Sequence, residues 1–137
     1  MEIIDVGLLN SITVKALESP RLRMNHNFHE NPDSKSQRLL NAMEPGTVLP
    51  IHRHQNTPET YIVLRGSLKL LFYSENKELI SSTEINPKNG VFGVDISAGQ
   101  WHTIEVLEPG TVIFEVKDGP YTPITEKDIL EVGLLVD

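Results

Sequence analysis

Between residues 21 and 117 the sequence is cut into short stretches in which apolar and polar side chains alternate, each closed by Gly, Pro, Asn or Asp. Side chains on an extended strand point to opposite faces with a period of two, so this alternation marks half-buried strands and the punctuation marks their turns. Strands are expected over residues 21–29, 37–43, 47–54, 59–65, 67–73, 79–85, 91–96, 101–107 and 111–117. Many short strands with turn signals at nearly regular spacing close up into a sandwich or a barrel. Ahead of them, Leu8, Leu9, Ile12, Ala16 and Leu17 fall near one helical face, and Pro20 ends the pattern. This predicts a short helix over residues 5–18, packed on the outside of a sheet. A second helix, capped by Thr125, is expected over residues 125–135. The chain has 137 residues and no linker, repeat or low-complexity segment. It therefore reads as one domain, residues 1–137, with a helix and first strands at 1–45, a barrel at 46–117 and a tail at 118–137.

Charge narrows the function. The formal net charge is -7 and no run of basic residues exists. A nucleic-acid partner calls for a basic stripe to neutralise phosphates, and an anionic membrane surface repels such a chain. A small metabolite or a protein partner fits better. No Gly-rich phosphate loop is present, which argues against a nucleotide cofactor. The N-terminus has neither a basic start nor a long apolar run, so no signal peptide or membrane span is expected and the cytoplasm is the expected location. There are no cysteines. Any metal site must therefore use His and carboxylate ligands.

Residues 46–66 supply such ligands: Gly46, five residues, His52-Arg53-His54, four residues, Glu59, six residues, Gly66. On a strand His52 and His54 face the same way, about 7 Å apart, a separation from which two imidazoles can converge on one ion. The Thr57-Pro58 turn brings the chain back, so that Glu59 can meet them from the next strand. A fourth ligand must come from farther along, and His102, opening a strand after the turn around Gly99, is the candidate. Three His and one Glu suit Fe(II), Mn(II), Ni(II), Co(II) or Zn(II). Four protein ligands on an octahedral ion leave two positions for a substrate or for oxygen.

This spacing matches the first motif of the cupins, Gly-x5-His-x-His-x4-Glu-x6-Gly, at every defined position. The second cupin motif is matched only by Gly99 and His102, with Val91, Ser97 and Val106 at its remaining places. The chain thus resembles the cupin superfamily. That resemblance implies an all-β, double-stranded β-helix jelly-roll barrel with one divalent metal ion on His52, His54, Glu59 and His102. Residues 23–29, 37–42, 63–66, 101–103 and 114–121 further resemble the WbuC-type cupin-fold metalloproteins. Association of that family with surface-polysaccharide gene clusters implies a sugar-like ligand.

Other polar residues are candidates for a pocket. Alternation puts Asn25, Asn27 and His29 on one strand face and Met24, His26 and Phe28 on the other. His26, His29 and Glu115 are candidate proton-transfer groups. Arg23, Asn25, His26, Arg38 and Tyr61 are candidate ligand-binding residues. Arg53 alternates away from the metal ligands, Trp101 reads as packing, and Glu115 with Lys117 is either a salt bridge or a pair in the site. Three functions compete: a metal-dependent isomerase, epimerase or oxygenase; a module that binds or senses a small polar, sugar-like or anionic ligand; and a purely structural metal site. A homodimer is expected, with residues 21–28 as the paired or exchanged edge, because an uncovered strand edge invites pairing.

Overall fold

The structure, a computed structural model, describes residues 1–130. It opens on helix α1 (Val6–Glu18), which begins where the Asp5 carboxylate accepts the Leu8 N–H and buries Leu9, Ile12 and Ala16. Such a cap satisfies one of the donors that a helix start leaves free. Eight strands follow: β1 (Arg23–Asn27), β2 (Ser36–Met43), β3 (Glu59–Arg65), β4 (Leu68–Tyr73), β5 (Leu79–Ile85), β6 (Gly93–Ile96), β7 (Trp101–Val106) and β8 (Thr111–Asp118). All their pairings are antiparallel, in one sheet of order β1-β2-β8-β3-β6 and another of order β5-β4-β7.

The inner faces of the two sheets share one core. Tyr61, Val63, Ile96 and Ile113 come from the larger sheet, and Leu68, Leu70, Ile85 and Ile104 from the smaller. Leu40, Ala42 and Val112, on the opposite face of the larger sheet, are covered by Leu9, Ile12 and Ala16 of α1. The second half of β2 and the start of β8 are therefore buried on both faces. That is why residues 39–43 and 111–113 read as nearly unbroken apolar runs. The fold is the expected all-β jelly roll with one N-terminal helix. Its two sheets are hydrogen-bonded separately among the described residues, so it is a two-layer jelly roll and not a continuous barrel.

Two expectations are corrected. Residues 47–54 do not form a strand. Pro50 lacks the N–H a ladder needs, and only His52 pairs, as an isolated bridge to His102 on one side and to Ile129 on the other. The tail is not a helix in its described part: it makes a single 3-10 turn at Glu126–Asp128, and Thr125 makes no side-chain cap bond. The remainder of that expected helix, residues 131–135, lies outside the described residues. Gly66 holds the β3–β4 turn at φ +85°, and a Cβ there would collide with Thr111 on β8. No described helix is long and apolar enough to cross a membrane.

Candidate metal centre

The four sequence-predicted ligands come together from three directions. Glu59 is the first residue of β3 in the larger sheet, and His102 the second residue of β7 in the smaller. The segment carrying His52 and His54 runs beside β7, fixed where the His52 N–H donates to the His102 carbonyl at 3.0 Å and the His102 N–H to the His52 carbonyl at 2.9 Å. His52, Glu59 and His102 form the compact group, with ligand atoms all within 4.8 Å of one another. Bond lengths of about 2.0–2.2 Å to a shared ion require separations close to this. His54 stands at the edge of the group, its Nε2 3.5 Å from Glu59 Oε1.

Hydrogen bonds orient the two buried imidazoles. His52 Nδ1 lies 2.9 Å from the Pro50 carbonyl and His102 Nδ1 2.9 Å from the Gln100 carbonyl. A carbonyl oxygen only accepts, so each Nδ1 carries a proton, which leaves Nε2 as the atom available to a metal, the arrangement that metal-binding histidines use. His102 Nε2 sits 2.9 Å from Glu59 Oε1, which also accepts the Tyr61 hydroxyl at 2.8 Å. Two lone pairs at that distance need a proton or a cation between them. The residues present could thus hold a divalent ion.

The charges agree with that role. Burial and the neighbouring His102 push the His52 imidazole down to about 4, so it is neutral near pH 7. Burial, with Lys117 and His102 nearby, also lowers His54 against the pull of Glu59. Burial alone would raise the Glu59 carboxyl. The His102 bond, the facing imidazoles and the Tyr61 hydroxyl outweigh it and hold the group at about 2. Neutral nitrogens and one ionised carboxylate are the ligand forms a metal requires.

A cavity of about 260 Å³ opens beside the group, lined by Arg23, Asn25, Asn41, Tyr61 and Glu115 as well as by His52, His54 and Glu59. The structure therefore places Arg23, Asn25, Tyr61 and Glu115 at the site. Arg23 is anchored there by donating to the Val48 carbonyl and the Thr47 hydroxyl. Burial and the negative Glu59 push the Glu115 carboxyl up to about 7, despite a hydrogen bond from Asn41 and the nearby Lys117 and His102.

His26 and Arg38 are not brought to the site. His26 lies on the α1 side of β1, where its Nε2 meets Glu2 at 2.7 Å and its ring packs edge-on to Phe28. Arg38 shares the face of β2 that carries Leu40 and Ala42, and its side chain is exposed. Strand parity sends both away from the cavity. His29 lines a neighbouring cavity, its Nδ1 accepting the Arg38 N–H at 3.1 Å. Arg53 stacks on Trp101, 4.4 Å from the ring centroid, and pairs with Asp128. Glu115 and Lys117 make no ion pair with each other among the described residues; Lys117 Nζ lies 5.7 Å from the Tyr121 ring centroid. Asn41 was missed as a site residue. Its signal was legible: a lone amide inside the apolar run Leu39-Leu40-Asn41-Ala42-Met43 asks for a buried partner.

The profile of a family described as "Domain of unknown function (DUF6016)" matches residues 4–85. The chain belongs to this family. No curated protein matches it in sequence. Among solved structures, it is similar to the capsular polysaccharide assembling protein CapF from Staphylococcus aureus, with 25% identity and a TM-score of 0.59 over 72% of this chain and 27% of CapF. The DUF6016 chain thus spans little more than a quarter of CapF. It is also similar to a cupin 2 domain-containing protein from Halorhodospira halophila (15% identity, TM-score 0.57, 75% of this chain and 68% of that one). A third likeness is to the oxalate decarboxylase of Bacillus subtilis, which has Mn(II) centres (17% identity, TM-score 0.55, 80% of this chain and 28% of that one). The last two show the fold alone. The DUF6016 chain has a cupin fold with a His-Glu-His cluster that could hold a metal. The narrower WbuC-type likeness is carried by none of these matches.

Proposed function

We propose that this protein is a metal-dependent cupin that binds and transforms a small hydroxylated metabolite, of the sugar type, in bacterial surface-polysaccharide metabolism. The observation that carries the reading is the convergence of His52, Glu59 and His102, with both buried imidazoles turned by carbonyls so that Nε2 faces the shared space. The likeness to CapF supports the sugar. A bound divalent ion would supply a Lewis acid that polarises a ligand oxygen. His52, His54, Glu59 and His102 would hold it. Tyr61 fixes the Glu59 carboxylate, and Arg23 and Asn25 line the approach. Glu115, on the wall of the same cavity and held near neutrality, can take or give a proton next to a polarised oxygen. This favours an isomerase or epimerase over a passive binding module.

Metal analysis of protein purified from its own host is the test. About one divalent ion per chain is expected, lost in His52→Ala and kept in His29→Ala, because only His52 belongs to the compact ligand group. Equal losses would reject the ligand assignment. Thermal shifts with sugar phosphates, nucleotide sugars and keto acids separate the remaining readings. A true ligand raises the melting temperature of the metal-loaded form only.

A further inference from the structure

Next to the metal cavity lies a second one of about 380 Å³, between β1 and the segment that joins it to β2. Asn25, Glu115, Lys117 and Tyr121 line both cavities, so the two lie side by side. The second cavity is built without help from a ligand. The buried Gln37 amide donates to the Ser34 carbonyl at 2.7 Å and to that of Pro32 at 3.3 Å. The Tyr121 N–H donates to the Pro32 carbonyl at 2.7 Å, and the Gly119 N–H to that of Lys35 at 2.7 Å. The backbone at Gly119 passes so close to Ser34 that a Cβ would collide with it.

The lining suits one kind of chemistry. Asn25 and Asn27 offer amide donors and acceptors, Leu39 offers an apolar wall, and the Tyr121 ring stands at the rim. Such a mixture fits a ring with hydroxyls at its edge and C–H groups on its faces. Asn41, on the wall of the first cavity, donates through Nδ2 to Glu115 Oε1 at 3.0 Å, and Glu115 lines both cavities.

We propose that the ligand has two units: a metal-chelating unit in the first cavity and a pyranose ring in the second. This rests on the metal-anchored reading above. The probes are aldonic acids, whose α-hydroxycarboxylate chelates a metal with two oxygens: gluconate as the single unit, and lactobionate and maltobionate as gluconate carrying a pyranose. Calorimetric titration of the metal-loaded protein is expected to show at least one of the two-unit acids binding about tenfold tighter than gluconate. Asn27 lines the second cavity and not the first. Asn27→Trp, which fills that cavity, and Asn27→Ala, which removes the amide, should abolish the advantage and leave gluconate binding and metal content unchanged. If gluconate binds the loaded protein as tightly as both two-unit acids, or if the Asn27 variants weaken all three alike, the two-unit ligand is overturned while the metal-anchored site stands. If no probe binds the loaded protein better than the stripped one, both readings fall.

Discussion

Glu115 and His52 sit on one cavity and respond to pH in opposite senses. Glu115 is raised from 4.5 to about 7 in the folded protein. The folded state therefore holds a proton that the unfolded chain releases, and this contribution to stability is present below pH 4.5 and lost as pH rises through 7. His52 is lowered from 6.5 to about 4, so its contribution is present above 6.5 and lost as pH falls towards 4. In metal-stripped protein the two trends oppose each other between about pH 4.5 and 6.5. Glu115→Gln keeps the acceptor for Asn41 and removes one trend. Relative to the parent, the variant should gain at most about 3 kcal/mol between pH 4 and pH 8, because the 4.5-to-7 shift is worth no more than that. Urea unfolding at the two pH values measures this, and a constant difference between variant and parent would show that the carboxyl is not perturbed. At this scale much was legible. Spacing picks out His52, Glu59 and His102 of the compact group, with His54 at its edge, and parity puts Asn25 and Tyr61 on the cavity wall. His26 and Arg38 failed because each was chosen for its chemistry when the alternation of its own strand already turned it towards α1.

The strands were readable wherever one face is wet and the other dry. Alternation located β3 and β4 to within a residue or two, since their buried residues fall at every second position, Glu59, Tyr61 and Val63 on β3 and Leu68 and Leu70 on β4. The segment at 47–54 alternates as well, yet its partners are His102 and Ile129, far off in sequence, and no local pattern announces a single bridge. The turns are more demanding than the strands they join. Gly66 combines a left-handed backbone with contact against Thr111. Gly66→Ala has to accept both the conformational penalty, about 1–2 kcal/mol, and the displacement of β8. We expect a loss of about 3 kcal/mol or more from the urea midpoint, with overpacking supplying the rest. A loss below about 1 kcal/mol, less than the left-handed backbone alone should cost, would mean that the turn relaxes freely.

At the scale of the molecule, β1 closes one end of the larger sheet and pairs only with β2 among the described residues. No strand pairs with its outer edge among the described residues, and such an edge is commonly covered by a second copy. We therefore propose a homodimer joined along residues 21–28. Sedimentation at low micromolar concentration is expected to give twice the 15.4 kDa of one chain, and a species of 15.4 kDa alone would reject it.

The segment bearing His52 and His54 is gripped from its other side by the end of the described chain. The Arg53 N–H donates to the Asp128 carbonyl at 3.0 Å and the Leu130 N–H to the Ile51 carbonyl at 2.8 Å, while the Asp128 carboxylate receives Arg53 Nε at 3.1 Å and Gln55 Nε2 at 2.7 Å. None of Asp128, Ile129 and Leu130 is a predicted ligand, yet the Leu130 amide, held by the Ile51 carbonyl, is tied to the segment that carries the two imidazoles and opens to solvent as that segment loosens. Deuterium uptake at Arg53 and Leu130 should therefore rise and fall together, and an added divalent ion should slow both as one unit. Independent uptake at the two positions would show that the grip is cosmetic. If they are coupled, Leu130 is a place from which the filling of the centre can be followed without touching it.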